Sequence, residues 1–129
     1  MPLFDDADLV FSYSRRQALE DGVLVDVSET AREAGFRYPV ALTRAVWDGV
    51  VTPDDEGRAS GQSEAGRLWD VLTLLRVAIR RSRGPVQTLE FQVLVVERET
   101  NRRTVTLKTV CGQDDDLSAC ITIMLPVED

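Results

Sequence analysis

The sequence predicts an α+β fold, with short N-terminal helices and one long buried helix packed on a C-terminal antiparallel sheet of three or more strands. Three observations carry that reading. Leu68, Leu72, Leu75 and Ile79 recur at helical spacing within the stretch 64–82. Apolar residues then occupy odd positions in three successive runs, 89–96, 104–111 and 119–125, which is the period of a half-buried strand. Earlier in the chain, Gly22, Gly35 and Gly49 each close a short helical pattern. At 129 residues the chain is read as a single domain, 1–129, able to bury a core without staples.

Taken in order, residues 1–8 are acidic and expected to be mobile, and 9–13 alternate as a short strand. Ser14 followed by Gln17 is a capping-box pattern opening a two-turn helix, which Gly22 ends. Residues 23–27 are extended. Ser28 is placed to cap a second helix ending at Gly35, and Pro39 to open a third over 39–48. Residues 52–63 combine proline, glycines, serines and acids and read as a flexible surface loop. The long helix follows over 64–82, apolar around most of its circumference, with Asp70, Thr73, Arg76 and Arg80 on a narrow polar stripe and Gly84–Pro85 as its stop. The three strands form a meander, and the helix is the natural cover for its apolar face.

Composition narrows the chemistry. The net charge is −7 and histidine is absent. A broad basic face for neutralising phosphates is therefore not expected, and catalytic triads that need histidine are excluded. The N-terminus shows neither a basic stretch nor an apolar core, and the apolar run 71–79 is too short to span a bilayer, so the chain is expected in the cytoplasm, without membrane contact.

The stretch CGQDDDLSAC, residues 111–120, holds the two cysteines and three aspartates and admits three readings: a disulfide loop, a metal site or a hairpin tip. Parity decides the first. If the apolar faces of the last two strands coincide, Cys111 lies opposite Ile121 and Cys120 points to the other face, out of disulfide reach. For calcium, counting from Asp114 places Ala119 and Leu125 where a glycine and a glutamate are needed. An acidic hairpin tip remains. Asp114, Asp115 and Asp116, with Asp54, Asp55 and Glu56 in the other loop, form candidate partner-binding surfaces, as do Arg76 and Arg80, whose guanidinium groups could clamp an anion or complement a helix C-terminus. Glu20, Asp21 and Asp26 are a weaker candidate carboxylate group, and Trp47 and Trp69 are read as core. No catalytic residue, cofactor or metal is expected.

The segments FSYSRRQALEDGVLVDVSETAREAGFRYPVALTRAVWDGV (11–50), GRLWDVL (66–72) and TLKTVCGQDDDLSACITIMLP (106–126) together resemble small uncharacterised proteins encoded on conjugative plasmids, integrative elements and phages. The resemblance implies a context of replication, transfer or host defence, with no activity attached. The expectation is a non-enzymatic acidic protein, monomer or homodimer, that contacts a protein partner, for instance a host-defence or nucleic-acid-processing complex. The alternatives are an accessory of plasmid maintenance or conjugation, and a small enzyme using carboxylates or the arginine stripe.

Overall fold

A computed structural model describes residues 14–83, 87–98 and 101–128; the expected strand at 9–13 and the Gly84–Pro85 stop lie outside them. The chain runs α1 (Arg15–Glu20), β1 (Leu24–Asp26), α2 (Ser28–Glu33), β2 (Val40–Thr43), a single turn α3 (Arg44–Val46) continued by a π-helical turn (Trp47–Val51), α4 (Asp55–Ala59), α5 (Glu64–Arg81), β3 (Thr88–Arg98), β4 (Asn101–Gln113) and β5 (Ala119–Met124). These strands make one sheet in the order β1-β2-β5-β4-β3. The class is α+β, but the sheet is mixed rather than antiparallel throughout, because β2 and β5 run parallel.

Local rules explain much of the first third. Ser14 accepts from the Gln17 N–H at 3.0 Å, and the Gln17 side chain accepts from the Ser14 N–H at 3.2 Å, completing the capping box of α1. After α2, Gly35 sits at φ +101°, and the Phe36 N–H reaches back to the Ala31 carbonyl at 2.9 Å, a closure that needs the left-handed residue. Ser28 does not cap α2 as expected. It is the first helical residue, and its hydroxyl donates to Asp26 and accepts from the Val40 N–H, tying α2 to β2.

The expected third helix over 39–48 is overturned. All four residues of β2 are buried, and they pair with β1 on one side and β5 on the other. A strand sealed on both faces shows no alternation, so over this length it cannot be told from a helical run by period. Only Arg44–Val46 is α-helical, capped by the Thr43 hydroxyl, which accepts from the Val46 N–H at 3.3 Å. Within 52–63, expected as a flexible surface loop, Asp55–Ala59 is helical, and Pro53 and Gly57 are buried.

The core gathers Leu68, Val71, Leu72 and Leu75 from α5 with Phe91, Val93, Val95, Leu107 and Ile123 of the meander and Val40 and Leu42 of β2. The meander register follows the parity argument, with Cys111 opposite Ile121 and Thr109 opposite Ile123. Even-numbered residues face the other side, where α1 lies: Ala18, Cys120 and Met124 are buried outside the main cluster. The Arg15 guanidinium binds this second layer to β5 through the Ile121 carbonyl at 2.9 Å and the Thr122 hydroxyl. α5 itself is not buried all round. Trp69, Leu74, Val77 and Ile79 are exposed on it.

Candidate functional site

The acidic residues singled out by sequence fall into two separate places. Asp54 is the N-cap of α4 and accepts from the Gly57 N–H at 2.7 Å, while Asp55 and Glu56 occupy the first turn, where negative charge complements the helix dipole. Asp114, Asp115 and Asp116 lie at the β4–β5 tip. That tip extends beyond the Thr88 end of β3, whereas α4 packs near the Val96 end. The intervening eight residues of strand span roughly 26 Å at ~3.3 Å each. The two clusters do not form one patch.

The tip aspartates are committed within the fold. Asp114 accepts from the Asp115 N–H at 2.7 Å, and Asp116 accepts from both the N–H and the hydroxyl of Ser118. Those bonds hold the Asp116 carboxyl below its ordinary range. Asp115 reaches 100 residues back along the chain: its two carboxylate oxygens accept from the Arg15 and Arg16 N–H groups at 3.0 and 3.1 Å. It therefore caps the start of α1, a role no local pattern announces. The cysteines are free thiols, Cys111 on the α5 side and Cys120 on the α1 side, and burial raises the pKa of both.

The arginine stripe separates in the same way. Arg76 donates to the Ala34 carbonyl at 3.0 Å, closing the C-terminus of α2, and a Cβ on Gly35 would lie 2.6 Å from its guanidinium carbon. Arg80 is exposed on the same helix. Of the weaker carboxylate candidates, Asp26 is held by Ser28 and Glu20 pairs with Arg16 at 3.7 Å. Among the described residues, no three of His, Cys, Asp and Glu gather in a way that could hold a metal ion.

Two features were not singled out from the sequence. The first is Arg67, 7% exposed, whose Nη1 donates to the Val50 carbonyl at 3.3 Å and Nη2 to the Val96 carbonyl at 3.0 Å. Its signal was available, for Arg67 stands on the apolar face with Val71, Leu74 and Ala78 at helical spacing. Burial lowers its pKa, as does Arg103, against the opposing fields of Glu97 and Asp54. The second is an open groove of about 450 Å³ between Leu74, Val77 and Arg81 of α5 and Leu89, Phe91 and Gln92 of β3. It follows the free side of β3, which ends the sheet among the described residues. Cys111 donates to the Gln87 carbonyl at 2.8 Å, so odd residues of β3 turn their backbone groups to β4 and even ones turn theirs outward.

No described helix is long and apolar enough to cross a membrane. Comparison with curated proteins and with solved structures returned no match. A family model does match, over residues 1–129, and it assigns the chain to the family of unknown function DUF6573.

Proposed function

We propose that this chain is a non-enzymatic interaction protein whose docking surface is the groove between the C-terminal half of α5 and β3. One observation carries the reading: Leu74 and Val77 are each 37% exposed on a helix that buries Leu68, Val71, Leu72 and Leu75, and they stand beside outward-facing backbone groups of Glu90 and Gln92. Large apolar side chains grouped beside a strand edge that no described strand pairs are an arrangement that a partner covers. Arg80 and Arg81 at one end and Glu90 along the edge would supply charge selection at the rim.

The acidic α4 start, with Asp55 and Glu56, lies toward the other end of the junction and would add a separate contact for a basic partner, so binding would weaken with salt. The resemblance to proteins of mobile elements suggests as target a host-defence or nucleic-acid-processing complex. The outward-facing edge of β3, with Leu94 half exposed, favours a second reading: a homodimer formed edge to edge, as an accessory of plasmid maintenance or conjugation.

Affinity capture from a bacterial host with the wild type and with the double variant Leu74→Asp, Val77→Asp distinguishes them. A defence or nucleic-acid-processing component retained by the wild type and lost by the variant supports the first. If both retain the same proteins, the groove is not the docking surface. A wild-type dimer in light scattering, made monomeric by Leu94→Lys, supports the second.

A further inference from the structure

We infer that the open half of the β3 edge takes an extended partner segment as an added antiparallel strand, with apolar side chains turned into the groove and a basic one set opposite Glu90. This rests on the docking surface proposed above and names what that surface takes.

Three observations select this occupant. First, the parity set by the Cys111–Gln87 bond turns the backbone groups of Thr88, Glu90, Gln92 and Leu94 outward, away from β4. These groups recur along the edge at roughly 6.6 Å, the length of two strand residues, and another extended chain meets them in step. A helix cannot, because its own N–H and C=O groups are already paired. The next outward carbonyl, that of Val96, accepts from Arg67 Nη2 at 3.0 Å, so the addition stops at Leu94. Second, residues of the added strand opposite Phe91 and Val93 turn toward α5, where Leu74, Val77 and Ala78 line a groove of about 450 Å³. Apolar side chains therefore suit every second position. Third, charge sets register and direction. Among the described residues no hydrogen bond or ion pair holds the Glu90 carboxylate, and Lys108, opposite it on β4, donates to the Pro126 and Glu128 carbonyls instead. An added residue opposite Glu90 shares its face of the sheet, so a basic side chain there completes the pair. Arg81, also outside any ion pair among the described residues, borders the groove with Leu89 on the α5 side, and an acidic residue opposite Leu89 suits it. The two charges thus fall on opposite faces of the added strand.

The probe is the peptide acetyl-Thr-Val-Thr-Ile-Lys-Asp-Thr-amide, whose valine, isoleucine and aspartate face the groove while its lysine meets Glu90. Amide hydrogen exchange of the ¹⁵N-labelled full chain is the readout. In the free chain Glu90 and Gln92 should exchange faster than Phe91, whose N–H is paired to β4. Saturating peptide should slow both by about tenfold or more. N-methylation of the lysine and of the threonine between valine and isoleucine, the two residues that exchange bonds with Glu90 and Gln92, should weaken binding by at least about tenfold. N-methylation of the valine and isoleucine, whose N–H groups point away from β3, should not. Glu90→Lys should reverse the preference, favouring the peptide with glutamate in place of lysine. Shifts of the Leu74 and Val77 methyl resonances without slowing at Glu90 and Gln92 overturn the added strand but keep the groove as the docking surface. Slowing that persists undiminished in Leu74→Asp, Val77→Asp overturns the groove reading as well. No response to the peptide overturns the strand, and so does a wild-type dimer in light scattering with both amides already slow, which makes a second copy the occupant.

Discussion

The two halves of the junction between α5 and β3 are finished differently. At the Val96 end, Arg67 bridges the Val50 and Val96 carbonyls, and α4 lies close enough that a Cβ on Gly57 would approach the Arg67 Nη2 to 3.4 Å. At the Thr88 end, Leu74 and Val77 face an open groove, which α5 and β3 line without a further described helix. The difference shows how an edge strand is managed: an inward-pointing charge and a cover protect one half, and the other half is left available for a partner. The strand irregularity between Val96 and Arg98 falls at the protected end, where it further discourages pairing.

The largest expected effect lies at the sealed half. Arg67→Ala removes two charged hydrogen bonds, leaves the Val50 carbonyl without its donor and opens space in the core, for an expected loss of about 2–4 kcal/mol in chemical denaturation. Leu74→Ala, in the open half, should lose about 0.5–1 kcal/mol, because the side chain is already 37% exposed. Equal losses in the two variants would mean that Arg67 does not seal the junction. A smaller effect is expected where α5 meets α2. Gly35→Ala forces a side chain into φ +101° and against the Arg76 guanidinium, and should cost about 1–2 kcal/mol. Arg76→Ala relieves the contact but leaves the backbone strain, so the double variant should recover only part of the loss.

The same division marks what could be read from the residues alone. The meander was legible because each strand has one wet face, and period two then settles both pairing register and the separation of Cys111 from Cys120. Gly22 and Gly35 were legible because only a left-handed residue closes those turns. β2 was not, since Val40–Thr43 is buried on both faces and follows a proline that suits a helix start equally well. In 52–63, Gly57 read as a breaker. It is instead a fitted residue, for a Cβ there would stand 3.2 Å from the Asp54 carboxylate that caps α4. The roles of the candidate contacts inside the fold were the least legible. Asp115 and Arg76 have chemistry a partner could use, but their partners inside the fold lie 100 and 42 residues away, beyond the reach of local pattern.

The two thiols give a pH-dependent test of the layers on either side of the sheet. Burial raises both above the ordinary thiol range, so the folded state holds these protons more tightly than the unfolded chain. Their contribution is present in full below the unfolded thiol pKa and is lost as pH rises from there through the folded values. Stability should therefore fall more steeply in alkaline solution for the wild type than for the Cys111→Ala, Cys120→Ala variant. In native protein a disulfide reagent should modify the half-buried Cys111 before Cys120, which is 4% exposed beneath α1. Faster reaction at Cys120 would show that α1 opens readily from the sheet.

A modest effect on stability is expected where the effect on binding should be greatest. Leu74→Asp with Val77→Asp replaces two partly exposed apolar side chains that line the groove at the margin of the buried face of α5. Only partly buried surface is removed, so the pair should lose about 1–2 kcal/mol, less than Arg67→Ala. Both carboxylates would stand opposite Glu90 across the groove, and an apolar partner segment would have to desolvate them. Loss of the partner with no more than that loss of stability places function in the open half. A large fall in the midpoint would instead mean that Leu74 and Val77 belong to the core, and that both ends of the junction serve stability alone.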